Sequence, residues 1–259
     1  MPFVNEPQNT YSDSETRKRT SAQYVKFNED YRVVLRMLND QARLVWKHWI
    51  GEANAGKGMM ANCPNVSSQV RPCPIEKEIA GLPNTDTKYQ ERRAKKRYIV
   101  NVLDRTPYTV CNHCNEDVPK SPKCTNCGAD ISKQEFAPLN KVKLLEGGPR
   151  LFVEQLAAIE KLQTEDYPKA DITDYDIVFT TNGSGRDRKI ACIPQAPKLD
   201  DDGNAIPTPE EWLDDPENPG EKQKLFDLDR LSEPSPLEEI EAMLRGATID
   251  ELNALRGIE

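Results

Sequence analysis

The chain is poor in histidine, in long apolar runs and in the glycine signatures of nucleotide enzymes. Only His48 and His113 occur in 259 residues, so the commonest general base is scarce. There is no Gly-Lys-Ser/Thr phosphate loop and no Gly-x-Ser-x-Gly nucleophile elbow, and Gly56-Lys57-Gly58 lacks the hydroxyl that would hold magnesium. Asp104, Asp171, Asp174 and Asp176 are carboxylates of the kind a two-metal nuclease uses, but the last three read as the exposed approach to a strand. No enzyme is expected. No stretch approaches 18 apolar residues, and the first thirty residues hold no signal-type apolar segment, so neither a membrane span nor secretion is expected. The protein should be soluble and cytoplasmic. Hydrophobic residues make up 37% of the chain, low for one large core, which favours a body with appendages.

Against these absences stand seven cysteines. Cys111 with Cys114 and Cys124 with Cys127 form two Cys-x-x-Cys turns close together in sequence, the spacing of a tetrahedral zinc site with sulfurs about 2.3 Å from the ion. Four thiolates leave no open coordination position, so the motif argues for architecture rather than metal catalysis. His113, inside the first turn, is expected as a neighbour and not a ligand. Cys192 reads as a core residue of the last strand. An odd cysteine count, four of them in metal spacing, fits a reducing compartment better than a disulfide framework.

Charge divides the chain. Residues 200–259 carry 18 acidic and 5 basic side chains, a net of −13, whereas residues 1–199 carry 25 and 30, a net of +5. A basic body with an acidic tail follows. Residues 199–234 are rich in Pro, Asp and Glu, with Trp212 as a lone large aromatic in the stretch 199–221, and read as a disordered linker. Beyond it, residues 235–259 read as two short helices. Ser235, Pro236 and Glu238 open the first, Gly246 stops it, and Thr248 with Glu251 opens the second. Leu237, Ile240, Leu244, Leu252 and Leu255 would supply a protein-interaction face, or alternatively pack the helices back on the body.

The body reads mainly as β. Residues 24–27 and 31–38 are expected to pair as a hairpin, with Val33, Leu35 and Met37 on a core face and Arg32 and Arg36 opposite. Further strands are expected at 42–50, 97–103 and 141–145, the last two antiparallel with the cysteine knuckle (108–136) inserted between them. A helix starting at Pro149 and a strand pair at 176–181 and 188–193 complete a small barrel. Cations beside aromatic rings are the chemistry of single-strand recognition, phosphates taking the charges and bases the rings. Arg92, Arg93, Lys95, Lys96, Arg97 and Tyr98 form the densest such run, and Arg32, Arg36, Lys47 and Trp49 would extend it.

The order Tyr31 to Leu38, Val45-Trp46-Lys47-His48-Trp49-Ile50, Cys63-Pro64, Cys73-Pro74, Arg97-Tyr98-Ile99-Val100-Asn101-Val102-Leu103-Asp104, Lys141 to Glu146 and Asp171-Ile172-Thr173-Asp174-Tyr175-Asp176-Ile177 resembles the single-stranded DNA-binding proteins of tailed phages, gene 32 type. The resemblance spans roughly residues 22 to 195. It implies an OB-type barrel that coats single-stranded DNA in replication, recombination and repair in the host-cell cytoplasm. It also implies bound zinc and an acidic arm that recruits replication or recombination proteins. Glu76 stands where such proteins place a further cysteine, so a second metal site of His48, Cys63 and Cys73 would need Glu76 or a distant fourth ligand.

The expected architecture is thus a flexible arm (1–21), an OB-like core (22–198), an acidic linker (199–234) and a helical tail (235–259). The competing reading is a non-enzymatic zinc-ribbon adaptor that docks on a polymerase or other replication or transcription protein.

Overall fold

The computed structural model describes residues 4–5, 24–27, 32–64, 73–183, 189–215 and 218–256. Its main sheet has eight strands: β1 (Val4–Asn5), β2 (Arg32–Met37), β3 (Ala42–Ile50), β4 (Met59–Asn62), β5 (Lys95–Asp104), β9 (Lys141–Gly147), β10 (Asp176–Asn182) and β11 (Lys189–Pro194). A second, three-stranded sheet holds β6 (Pro107–Val110), β7 (Asp117–Pro119) and β8 (Ala137–Pro138).

β5 organises the main sheet because it is long enough to serve two partners along one edge. Its first half pairs with β3, Lys96 opposite Trp46 and Ile99 opposite Arg43, and its end pairs with β2, Leu103 opposite Arg36. Its other edge runs antiparallel to β9, from Tyr98 opposite Gly147 to Asp104 opposite Lys141. The expected pairing of these two strands is present, with the cysteine knuckle in the connection between them. The sheet then continues from β2 to β10 and β11.

Strand alternation separates two faces. One carries Val33, Leu35, Met37, Leu44, Tyr98, Val100 and Val102 into a core closed by Phe152, Leu156, Ile159, Ile177 and Phe179. Phe152, Leu156 and Ile159 come from one helical run after Pro149, which opens with π-type turns (Arg150–Leu156) and continues as α3 (Ala157–Asp166). Each fully buried side chain of this size contributes about 1.5–3 kcal/mol. The opposite face is mixed, with Arg36, Lys47 and Asn101 set among buried Val34, Val45, Ile99 and Leu103.

Four expectations are corrected. The sheet does not close into a barrel among the described residues; the ladder ends at β11, which pairs with β10 alone. Residues 24–27 do not form a hairpin with β2; Tyr24 bridges Leu144 of β9, and the Val25 amide donates to the Leu144 carbonyl at 2.9 Å. A segment this short takes whichever sheet edge offers free carbonyls. Residues 199–215 and 218–234 do not hang free; they follow this mixed face as a strap, donating and accepting hydrogen bonds at Asn101, Val142 and Asn62. Finally, Ser235 does not cap a helix. Its hydroxyl accepts from the Asn62 amide at 3.0 Å, and the helix α5 (Leu237–Leu244) begins without a side-chain cap.

Gly246 stops α5 with φ +87°, and α6 (Ile249–Leu255) carries the expected capping box of Thr248 and Glu251. These helices pack on the body. Ile240, Met243 and Leu252 join Ile50, Ala53, Ala61, Cys63, Cys73 and Ile75 in a second core cluster. Ile240 and Leu252 are fully buried, Leu237 and Leu244 half-buried, and Leu255 remains 58% exposed. Of the five residues read as a partner-binding face, Ile240 and Leu252 are therefore committed to this chain's own core. Of the arm 1–21, Val4–Asn5 pairs parallel with Ala42–Arg43, and the remainder lies outside the described residues. No helix among the described residues is long and apolar enough to cross a membrane.

Candidate metal centres and basic surface

The knuckle is two copies of one turn. After β6, the Asn115 amide donates to the Cys111 carbonyl at 2.8 Å, and the Gly128 amide donates to the Cys124 carbonyl at 2.9 Å. Asn115 (φ +57°) and Gly128 (φ +76°) supply the left-handed conformation that reverses each turn. The result brings four sulfurs together, Cys111 to Cys127 at 3.7 Å and Cys114 to Cys124 at 3.7 Å. A tetrahedral ion with sulfurs about 2.3 Å away requires sulfur separations of about 3.8 Å. Val118 and Ile131 fill the small core beneath.

One of the sulfurs is prepared for negative charge. The Cys127 and Asn126 amides hold the Cys124 thiol down to about 6. Cys127 receives the Ala129 amide, yet burial and the neighbouring thiols of Cys124, Cys111 and Cys114 push it up to about 12. The four cysteines can hold a metal ion. His113 is exposed and lies outside the sulfur set.

A second cluster lies under the main sheet. His48 on β3, Cys63 after β4 and Cys73 before helix α1 (Pro74–Ile79) bring their ligand atoms within 4.8 Å of one another, all buried. The Nδ1 of His48 faces the Arg92 carbonyl at 2.6 Å. Only a donor can face a carbonyl, so in the neutral imidazole the Nε2 lone pair turns to Cys73 Sγ at 3.5 Å, the orientation a metal-binding imidazole adopts. Glu76, in the first turn of α1, places Oε1 3.6 Å from that Nε2 but stands outside the three-residue group. Cys63 foremost, with His48 and the Glu76 amide, holds the Cys73 thiol down to about 4 against burial. Burial works against a charged His48, but Cys73, the Arg92 carbonyl and Glu76 outweigh it and raise its pKa. Cys192, on β11, touches neither cluster; burial alone pushes its thiol up to about 12.

The residues read as strand-binding divide. Tyr98 is buried and stacked on Phe152, ring centroids 5.5 Å apart. Arg36 is buried and donates from Nε to Asp176 at 2.7 Å, and Lys47 is buried with its ammonium 2.5 Å from Glu146. Arg92 turns to Glu52 and Glu78. These four are not an open surface, because each meets a partner remote in sequence. Arg32, Arg93 and Lys95 are exposed, Arg97 is half-buried, and Lys96 sits over the Trp46 ring at 5.3 Å. Trp49 is 43% exposed and lies across Gly58, where any Cβ would fall 2.1 Å from the indole.

Sequence reasoning missed Arg105 and Asp176 as partners of Arg36. Asp176 takes both guanidinium groups, Arg105 Nε at 3.7 Å, and Trp212 from the strap covers them. The signal was present as a lone tryptophan in an acidic stretch attached to a basic body.

No protein-family model matches the chain, and no curated protein is similar to it at a meaningful level.

Proposed function

We propose that the protein binds single-stranded DNA without sequence preference, in DNA replication, recombination and repair of the phage type. In this reading zinc fills the four-cysteine knuckle and the protein performs no turnover. The observation that carries it is the start of β5, where Lys96 covers Trp46 and exposed Arg93 and Lys95 neighbour half-buried Arg97. Phosphates would meet the cations and bases the rings, each stacked base contributing about 1–3 kcal/mol. Replication or recombination partners meeting the tail would find Ile249 and Leu255, which are 45% and 58% exposed.

The adaptor reading has its own support. A recess of about 460 Å³ on the knuckle is lined by Asn112, His113, Lys133 and Gln134, and the Gln134 Oε1 there is buried without a hydrogen bond.

Anisotropy of a labelled oligonucleotide, single-stranded and duplex, across a salt series separates the two. The coat reading expects preference for the single strand and a logarithmic salt slope of about −0.7 per phosphate contact. Absence of binding at low salt would leave the adaptor.

A further inference from the structure

Lys47 and Trp49 of β3 share one face of the sheet with Lys95 and Arg97 of β5 and Met60 of β4, since Lys47 is opposite Lys95, Val45 opposite Arg97 and Trp49 opposite Met60. The strap covers part of this face and ends its crossing at Asn62, whose carboxamide donates to the Leu231 and Glu233 carbonyls. Asn62 is opposite Lys47, so Trp49 and Met60 stand one step past the covered part.

Trp49 stays 43% exposed, and the turn 51–58 backs its indole. Gly58, at φ +76°, lies against the ring so closely that a Cβ there would collide with Cζ2, Cη2 and Cε2 together, the mark of a contact with the ring's face. The turn is itself fixed from beneath. Ala53 is buried in the cluster with Ile240 and Met243, the Asn54 amide donates to the Ala247 carbonyl at 2.8 Å, and the Gly58 amide donates to the Ala53 carbonyl at 2.9 Å.

We propose that the solvent-facing side of the Trp49 indole is a stacking seat for one base of single-stranded DNA, with Lys57 and Lys95 meeting the phosphates beside it. This rests on the single-strand reading and deepens it by naming a seat on the face opposite to that of Trp46, whose ring packs on the second core cluster.

Cations border the ring. Lys57 adjoins Gly58, and Lys95 lies diagonally across from Trp49 on the neighbouring strand. Lys57, Arg93 and Lys95 are exposed and enter no ion pair among the described residues, whereas the carboxylates of Glu52 and Glu78 are both engaged by Arg92. An indole already pressed on a fixed turn loses little freedom when a base arrives, so more of the stacking energy reaches affinity. Every base offers a flat π-face, so such a seat adds affinity without sequence preference.

The test uses full-length protein and labelled oligodeoxythymidine. Trp49→Ala should weaken binding about tenfold, the loss of one stacked base, with the salt slope unchanged because no phosphate contact is removed. Trp49→Phe, which keeps a flat ring, should recover most of that affinity. Gly58→Ala pushes the indole off its turn and should weaken binding with the ring still present. Oligonucleotide should quench the tryptophan fluorescence of the wild type, and Trp49→Phe should lose most of that quenching; if Trp49→Ala fails to fold, the quenching decides alone. Wild-type affinity in Trp49→Ala, a shallower salt slope accompanying its loss, or undiminished quenching in Trp49→Phe would overturn the seat while wild-type binding upholds the single-strand reading. A wild type that binds no single strand would remove both.

Discussion

Lys47 shows how one contact changes the reading of a cation. The residue is 3% exposed and its ammonium meets Glu146 of β9 at 2.5 Å, so it belongs to the sheet's interior and not to a ligand. Removing one partner leaves the other charge stranded in low dielectric, whereas removing both leaves only a packing change. Glu146→Ala should therefore lower stability by about 3 kcal/mol in urea denaturation, and the pair Lys47→Met with Glu146→Leu should cost less. A double variant as unstable as the single one would mean that packing and not charge holds this position. Tyr98 and Arg36 teach the same lesson. Alternation placed Arg36 on its face of the sheet and Tyr98 was read beside the cations, but Phe152 and Asp176, which occupy them, lie too far along the chain for any local pattern to announce.

Among the elements, those held by local chemistry were legible. The knuckle was readable because ligand spacing and turn geometry lie within one stretch, and β2, β3, β5, β9 and β10 were readable because Val, Leu and Ile alternate with polar residues. β4 was not seen, since Met59-Met60-Ala61-Asn62 lacks both alternation and branched side chains and becomes a strand only by pairing with β3. The 24–27 hairpin failed for the converse reason, a good local pattern captured by a distant edge. The knuckle has its own core of Val118, Ile131 and two cysteines, too small to persist without an ion. Chelation should thus release hydrogen-exchange protection across 107–138 while β5, β9 and β10 stay protected. Loss of protection throughout would show that the knuckle supports the main sheet.

For the molecule as a whole, the opposite charges of its two parts are brought together rather than kept apart. The strap crosses the mixed face, and α5 and α6 complete the cluster around Cys63, Cys73 and Ile75. Truncation after Glu233 should therefore expose that cluster, lower the melting temperature and raise binding of a hydrophobic dye. A truncated chain as stable as the full one would show the helices to be mere passengers. The link that fastens them, Asn62 to Ser235, joins residues 173 positions apart. During synthesis everything between Asn62 and Ser235 must be made before that clasp can shut. A nascent protein therefore emerges with its Cys63–Cys73 cluster unroofed until Ile240, Met243 and Leu252 have followed.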